Sequence, residues 1–174
     1  MIKGKNIILR KLSNKDVSIE YLNWMNDYET VKYTESRHTD HTIESLVNFV
    51  SLVNNENNYC FAIIDMKSGK HIGNIKIGNI HPIYKFADVG LIIGDKKFWG
   101  KGIATEAIQL CVEFAFNQLR LHRLYAGIYD VNIGSLKAFE KAGFLREGCE
   151  KEKCLFEGKR VDCYIYGIVN ESGE

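Results

Sequence analysis

Proline is nearly missing from this sequence, extended apolar runs are absent, and neither sign of charge dominates. The 174 residues contain one proline, Pro82, and 23 basic side chains against 22 acidic ones leave a net charge of +1. No apolar run approaches the roughly 20 residues that a membrane-spanning helix requires. Such a small net charge gives no reason to expect binding to nucleic acid or to a membrane surface. With 45% hydrophobic and 26% charged residues, the chain is typical of a globular protein, and its length predicts a single domain over residues 1–174.

The cysteine spacing gives no support for a metal site. The chain has five cysteines, and those near its C-terminus have neither paired C-x-x-C spacing nor a neighbouring histidine. We therefore expect half-buried thiols rather than zinc ligands, and no metal. Residues 1–12 lack the apolar core of a signal peptide. An odd number of thiols and the missing leader together predict a reduced, cytoplasmic protein.

The most informative stretch covers residues 88–116, which read as a buried strand, a glycine-containing turn and an amphipathic helix. The turn carries Lys97, Gly100, Lys101 and Gly102 immediately before the helix. A glycine turn that opens a helix exposes main-chain N–H groups that the helix cannot use itself, and the helix dipole adds partial positive charge there. The two lysines add full charge. The pattern predicts an anion site, with a phosphate ester as the favoured ligand.

The residues of this turn narrow the choice of phosphate ligand. A Walker A loop requires Gly-Lys-Ser/Thr, whereas Gly100-Lys101 is followed by Gly102, and a dinucleotide fingerprint requires a third glycine where Thr105 stands. The pattern Gln/Arg-x-x-Gly-x-Gly/Ala does fit, with Lys97 in place of Gln or Arg. It resembles the coenzyme A diphosphate loop of the GNAT acetyltransferase superfamily. Taken alone, a turn that binds nothing would explain these residues equally well.

A second motif follows a predicted strand over residues 123–128. The run Asn132–Phe144 includes Ser135 and a closing glycine, and it predicts a short helix that ends at that glycine. It resembles the second GNAT signature, Asn-x-x-Ser/Ala-x-x-x-Tyr/Phe-x-Lys-x-Gly-Phe. Because two signatures occur in the right order and at the right separation, the chain is identified as a member of the GNAT superfamily over residues 61–169, and more loosely throughout.

The resemblance implies an α/β (α+β) fold. This is a central mixed, mostly antiparallel sheet of seven strands, with helices on both faces and a splay between strands 4 and 5 that admits the pantetheine arm. The patterns along the chain give the order strand, two helices, three strands, helix, strand, helix, two strands. The last two strands are predicted to form a hairpin around Glu157-Gly158, with Cys154 facing Cys163. We expect the tail from Glu171 to fray.

The superfamily also implies acetyl-coenzyme A as the cofactor and acetyl transfer to a primary amine by direct attack in a ternary complex. Main-chain N–H groups at the end of the strand before the glycine turn would hold the pantetheine arm and the developing oxyanion. Carried over onto the two motifs, the coenzyme contacts are Leu91, Ile92, Ile93, Lys97, Phe98, Trp99, Gly100, Lys101, Gly102, Ile103, Ala104, Thr105, Asn132, Ser135, Phe139 and Lys141.

A general base is needed because a free alkyl amine has a pKa near 10.4, so only about one molecule in a thousand is nucleophilic at neutral pH. Such a base contributes ~10²–10⁴-fold. Glu35 is the first choice, in a polar segment that also holds His38, Asp40 and His41. The resemblance places this segment over the acceptor pocket. For each of these side chains, an ordinary solvated charge is the alternative.

The proton donor differs from the usual one, because Phe139 stands where many GNAT enzymes have a tyrosine. Ser135 is the replacement candidate. The ribosomal-protein N-terminal alanine/serine acetyltransferase subgroup, which the chain resembles, has a serine proposed for this role at the matching place. A helix cap or a simple coenzyme contact is an equal alternative for Ser135.

The acceptor is the least determined part of the prediction. Residues 21–42 resemble GNAT proteins that modify amino sugars of surface polysaccharides, so an amino-sugar nucleotide is the first expectation, bound by Tyr33, Arg37 and His38. A protein or peptide N-terminus, a polyamine, and a domain that binds coenzyme A without catalysis remain as alternatives. Superfamily members are often dimers, so a homodimer is expected by analogy.

Overall fold

A computed structural model describes residues 1–171 of the chain. Its strands are β1 Ile2–Lys3, β2 Ile7–Lys11, β3 Tyr59–Asp65, β4 His71–Gly78, β5 Phe86–Ile93, β6 Arg123–Tyr129, β7 Leu145–Phe156 and β8 Lys159–Val169. Its helices are α1 Ile19–Asn26, α2 Tyr28–Val31, α3 Ile43–Val53, α4 Ile103–Asn117 and α5 Ile133–Lys141, with 3-10 turns at Asn14–Asp16, Glu35–His38 and Lys96–Phe98. Apart from Glu171, the tail predicted to fray lies outside the described residues.

The described strands form one open mixed sheet of eight strands in the order β1-β2-β3-β4-β5-β6-β8-β7. All neighbouring pairs are antiparallel except β5 and β6. Two apolar clusters cover its faces, and successive side chains of β3 point into one cluster and then the other. Phe61 and Ile63 pack with α4 and α5, whereas Cys60 and Ala62 pack with α1 and α3. The prediction of a mixed sheet with helices on both faces is thereby confirmed.

The predicted count of seven strands is wrong by one, because Ile2–Lys3 forms an additional strand that pairs with β2. Two residues are too short to show any period-2 pattern in the sequence. Contacts to a distant helix hold this segment: the main-chain N–H and side-chain amide of Asn6 donate to the Glu106 carboxylate of α4 at 2.7 and 2.8 Å. The predicted splay between strands 4 and 5 therefore falls between β5 and β6.

The C-terminal hairpin forms as predicted, but the expected pairing of Cys154 with Cys163 is wrong. Glu157 and Gly158 both have positive φ, which suits the tight turn of a hairpin. Beyond the turn, Cys154 pairs with Val161, and Cys163 pairs with Glu150. The register shifts between Glu150 and Cys154 because this part of β7 carries extra residues that bulge out of the ladder.

The parallel pair β5 and β6 opens the sheet. Its ladder consists of three pairs, from Phe86 opposite Arg123 to Asp88 opposite Tyr125. Beyond that point the strands continue to Ile93 and Tyr129 without pairing to each other. The predicted splay is thus present, and it places strand main-chain groups on both sides of a cleft.

Candidate active site

The cleft between the diverging ends of β5 and β6 has a volume of about 860 Å³. It is bounded by the first turns of α4 and α5 and by the segment around α2. The predicted site residues on its wall are Tyr33, Glu35, Leu91, Ile92, Ile93, Phe98, Trp99, Gly100, Gly102, Ile103, Ala104, Thr105, Asn132, Ser135, Phe139 and Lys141. Lys97, Lys101, Arg37 and His38 are not part of this wall. The two motifs and the polar segment, far apart in sequence, therefore converge on one space.

The glycine turn before α4 has the geometry of an anion cradle. Gly100 and Gly102 have φ of +71° and +79°, and a Cβ built on either one would meet nothing within 4 Å. Gly102 is the N-cap of α4 and, having no side chain, leaves the N–H groups of the first turn uncapped by its own residue. Open space in front of free N–H groups at the positive end of a 15-residue helix fits the diphosphate of coenzyme A.

Two hydrogen bonds and one ion pair stabilise the glycine turn. The indole N–H of Trp99 donates to the Ile93 carbonyl at 2.7 Å, and the Asp95 carboxylate accepts the N–H of Lys97 at 3.0 Å. Lys96 Nζ lies 2.8 Å from an Asp27 carboxylate oxygen. That carboxylate also caps α2 by accepting the N–H of Thr30 at 3.0 Å. The glycine turn and the segment that contains α2 are therefore linked directly by an ion pair.

The second motif forms α5, whose N-cap is Asn132. Its side-chain oxygen accepts the N–H of Ser135 at 3.2 Å, so Asn132 has a capping role in this structure. Ser135 lies in the first turn of α5 on the cleft wall. Phe139 is only 2% exposed and packs edge-to-face on Phe144 with 5.0 Å between ring centroids. Phe139 is thus mainly a core residue at the floor of the cleft.

The polar segment that carries Glu35 contains the short helix α2 and the 3-10 turn Glu35–His38. The tip of the β7–β8 hairpin packs against it, with the ring of Tyr33 stacked on Phe156 at 5.1 Å between centroids. The hydroxyl of Tyr28 donates to Glu157 at 3.4 Å. Glu35 is exposed to the cleft. The hairpin tip therefore supports the segment that carries Glu35 but does not itself line the cleft.

Sequence reasoning missed Tyr129, the last residue of β6. Its hydroxyl donates to Glu35 Oε1 at 3.1 Å and accepts from Arg37 Nη1 at 3.1 Å. Tyr129 is 9% exposed, and burial is the main cause that raises the pKa of its hydroxyl to about 12. Its only sequence signal was an aromatic residue ending a strand at the splay. Nothing local indicated that it would meet residues more than 90 positions earlier.

Arg37 contacts both the hydroxyl and the ring of Tyr129. Its guanidinium also donates to the carbonyls of Lys32 and Thr34 at 3.0 and 3.2 Å, and to the carbonyl of Leu155 in β7 at 3.0 Å. Because its donors are engaged within the protein, Arg37 is less suited to bind a substrate than the sequence suggested.

Asp162 forms an ion pair with Lys151 at 2.7 Å, and a hydrogen bond from that lysine is the main cause that lowers the pKa of Asp162 to about 2. This matches a structural role in the hairpin.

Within residues 1–171, no group of three or more His, Cys, Asp or Glu side chains is arranged to hold a metal ion. No helix in the same range is long and apolar enough to cross a membrane.

An open mixed sheet whose two parallel strands separate beside a glycine-opened helix is the architecture of a coenzyme A-dependent acetyltransferase. Residues 6–145 match the acetyltransferase (GNAT) domain family. This match covers well over half of the chain, and the chain therefore belongs to the GNAT family. The predictions of family, N-acetyltransferase activity and acetyl-coenzyme A as cofactor are confirmed.

Individual relatives agree with this assignment. The probable N-acetyltransferase YjcK of Bacillus subtilis is 28% identical over an alignment of 181 positions, covering 100% of this chain and 99% of that protein. The ribosomal-protein-S5-alanine acetyltransferase of Vibrio fischeri superposes with a TM-score of 0.84 at 23% identity, covering 99% of this chain and 97% of that one. The spermidine N-acetyltransferase of Vibrio cholerae in complex with CoA and spermine gives a TM-score of 0.84 at 22% identity, covering 95% and 96%. At these identities the two structures show a shared fold.

Proposed function

We propose that this chain acetylates a primary amine by direct attack, with both substrates bound in the cleft and with Glu35 as the general base. The observation that carries the proposal is the position of the Glu35 carboxylate. It lies on the wall of the cleft and is held there by a buried tyrosine hydroxyl. Acetyl-coenzyme A supplies the activated acetyl thioester when bound.

The residues available to hold the coenzyme fall into three groups. The N–H groups from Gly102 into the first turn of α4 suit the diphosphate, because they face open space at the helix N-terminus. The main chain of β5 beyond Asp88, where pairing with β6 has ended, suits the pantetheine amides. Lys141 on α5 also lines the cleft and adds a positive charge for the anionic coenzyme.

Two side chains handle protons. A carboxylate oxygen of Glu35 takes the proton of the incoming ammonium group, which leaves the nitrogen nucleophilic. As the amine nitrogen bonds to the acetyl carbon and the C–S bond breaks, the Ser135 hydroxyl would donate a proton to the departing sulfur, because Phe139 has no group that can do so. Because the pKa of a thiol is about 8.5, its thiolate is a good leaving group even without a proton donor. We therefore expect Ser135 to contribute less to the rate than Glu35.

The charges of the acceptor half favour a cationic amine without phosphate. An amino-sugar nucleotide, the first expectation from the sequence, carries a diphosphate that needs a free cation. The guanidinium of Arg37 is engaged by Tyr129 and three carbonyls, and Lys32 Nζ pairs with Glu29 at 2.8 Å. Glu29 and Lys32 both line the cleft and neutralise each other, which leaves the Glu35 carboxylate as the charge that selects the acceptor. A polyamine-like substrate is therefore the better match, with a peptide N-terminus next.

The test compares Glu35→Gln with Asp40→Asn, since Asp40 is an exposed carboxylate of the same segment that does not line the cleft. Thiol release from acetyl-coenzyme A would be measured with spermidine, an amino-sugar nucleotide and a peptide with a free N-terminal alanine. We expect kcat to fall ~10²–10⁴-fold in Glu35→Gln and to stay within about two-fold in Asp40→Asn, with calorimetric binding of acetyl-coenzyme A unchanged in both. A Glu35→Gln variant with wild-type kcat would remove Glu35 as the base. Turnover of the sugar nucleotide alone would overturn the acceptor assignment while leaving the transferase in place.

A further inference from the structure

The side chain of Tyr129 is fixed from several directions. It is 9% exposed at the end of β6, where its β8 partner is Cys163. The ring of Tyr33 meets it edge-on with 6.4 Å between centroids, and the guanidinium carbon of Arg37 lies 5.3 Å from the centre of its ring. A ring packed on these sides leaves its hydroxyl oxygen little freedom to move.

The chemistry of its two partners sets the direction of both hydrogen bonds. A guanidinium can only donate, so the Tyr129 oxygen accepts from Arg37 Nη1. The single phenolic proton is then left for Glu35 Oε1, 3.1 Å away. One carboxylate oxygen of Glu35 is therefore held by a donor of defined orientation, which leaves the other oxygen for the proposed proton transfer.

Arg37 is itself anchored to main chain rather than to mobile side chains. Two of its carbonyl partners, Lys32 and Thr34, belong to the segment that carries Glu35, and the third, Leu155, belongs to β7. A chain of contacts thus leads from the β7–β8 hairpin through Arg37 and Tyr129 to the carboxylate. Such an arrangement restricts an exposed glutamate that would otherwise sample several rotamers.

We infer that Tyr129 is a positioning residue for this acetyltransferase, whose hydroxyl, aligned by Arg37, holds the Glu35 carboxylate in the orientation that accepts the amine proton. This inference rests on the proposed role of Glu35. Burial raises the pKa of Tyr129 to about 12, so the hydroxyl keeps its proton, and hence its bond to Glu35, throughout the neutral and mildly alkaline range.

The chain offers a closely matched control in Tyr166. This tyrosine is 3% exposed, and its hydroxyl also donates to a glutamate, Glu140 Oε1, at 2.7 Å. The Tyr166 hydroxyl is not part of the cleft wall. Tyr129→Phe and Tyr166→Phe therefore remove the same group from the same kind of hydrogen bond, inside and outside the active site.

The experiment is a kinetic double-mutant cycle with Tyr129→Phe, Glu35→Gln and the double variant, in which kcat, both KM values and the Kd for acetyl-coenzyme A are measured. We expect Tyr129→Phe to lower kcat by about 10- to 100-fold with KM and Kd for acetyl-coenzyme A within about two-fold, and Tyr166→Phe to leave kcat within about two-fold. In the Glu35→Gln background, Tyr129→Phe should have no further effect on kcat. If Tyr129→Phe does not fold, Arg37→Met, which removes the donor that aligns the hydroxyl, should lower kcat in the same Glu35-dependent way.

Three outcomes would overturn the inference, and they are distinguishable. A kcat of Tyr129→Phe equal to that of Tyr166→Phe would remove the positioning role and leave Glu35 as the base. An equal loss in the wild-type and Glu35→Gln backgrounds would mean that Tyr129 acts independently of Glu35. A wild-type kcat in Glu35→Gln itself would refute the proposed base, and the inference would fall with it.

Discussion

Replacing Gly102 by alanine separates the backbone requirement of the cofactor turn from its role in binding. Gly102 has φ of 79° and ψ of 1°, a left-handed conformation that disfavours any residue with a Cβ. The new Cβ would meet nothing within 4 Å, so the change adds strain without a clash. That strain amounts to about 1–2 kcal/mol of unfolding free energy. For a domain of this size, it corresponds to a fall in Tm of roughly 2–8 °C.

Gly69 provides the matched control. It lies in the turn between β3 and β4, has φ of +70°, and a Cβ there would also meet nothing within 4 Å. It is not part of the cleft wall. Gly69→Ala should therefore lose about the same 1–2 kcal/mol as Gly102→Ala, because the positive φ is nearly the same.

The two variants should differ in coenzyme binding, measured by calorimetric titration with acetyl-coenzyme A. In Gly102→Ala the methyl group projects into the open space proposed for the diphosphate, and relief of strain moves the N–H groups of the first turn. We expect the Kd to rise at least ~10-fold, equivalent to about 1.4 kcal/mol, against less than about two-fold in Gly69→Ala. Equal Kd values in the two variants would refute the placement of the diphosphate. Undiminished stability in both would refute the strain argument.

Two further predictions concern charged groups. Lys96→Met removes the exposed ion pair with Asp27, so the unfolding free energy should fall by less than ~1 kcal/mol at low salt. In 1 M NaCl, where the Debye length is about 3 Å, the fall should be close to zero. A loss of stability that persists in high salt would point to lost packing instead. Burial acts to raise the pKa of Asp16, but hydrogen bonds from Arg10 and from the N–H of Ser13 outweigh it and lower the pKa overall. The stability that Asp16 contributes is therefore present above about pH 4 and disappears as the pH falls through its lowered pKa. Urea denaturation of Asp16→Asn should show a deficit at pH 7 that shrinks below pH 4, and a deficit independent of pH would contradict this reasoning.

The glycine turn and helix α5 could be predicted from the sequence because their determinants are local. Gly100 and Gly102 mark a turn with positive φ before an apolar helix, and Asn132 three residues before Ser135 marks an N-cap. Each of these signals spans only a few residues. The strand before the turn, the helix after it and α5 were accordingly predicted at nearly their observed bounds.

The acceptor half could not be predicted to the same degree. Glu35 was selected as a charged residue in a polar segment, but Arg37 was assigned to the substrate when its donors are engaged within the protein. The pairing of Cys154 depended on a bulge in β7. Neither the hydrogen bonds of Arg37 nor the bulge in β7 is marked by a periodic or regularly spaced pattern in the sequence.

The sequence by itself therefore determined the family, the order of the main elements and the glycine turn before α4, since hydrophobic period, capping and glycine conformation act over short distances along the chain. Only the tertiary structure decided the rest. It added β1 through the contact of Asn6 with Glu106, 100 residues away, and it opened β5 from β6 after three pairs. It also brought Tyr129 to Glu35 across 94 residues. These contacts join side chains and main-chain groups whose separation in sequence carries no information about their distance in space, so they become defined only when the sheet and its helices pack together.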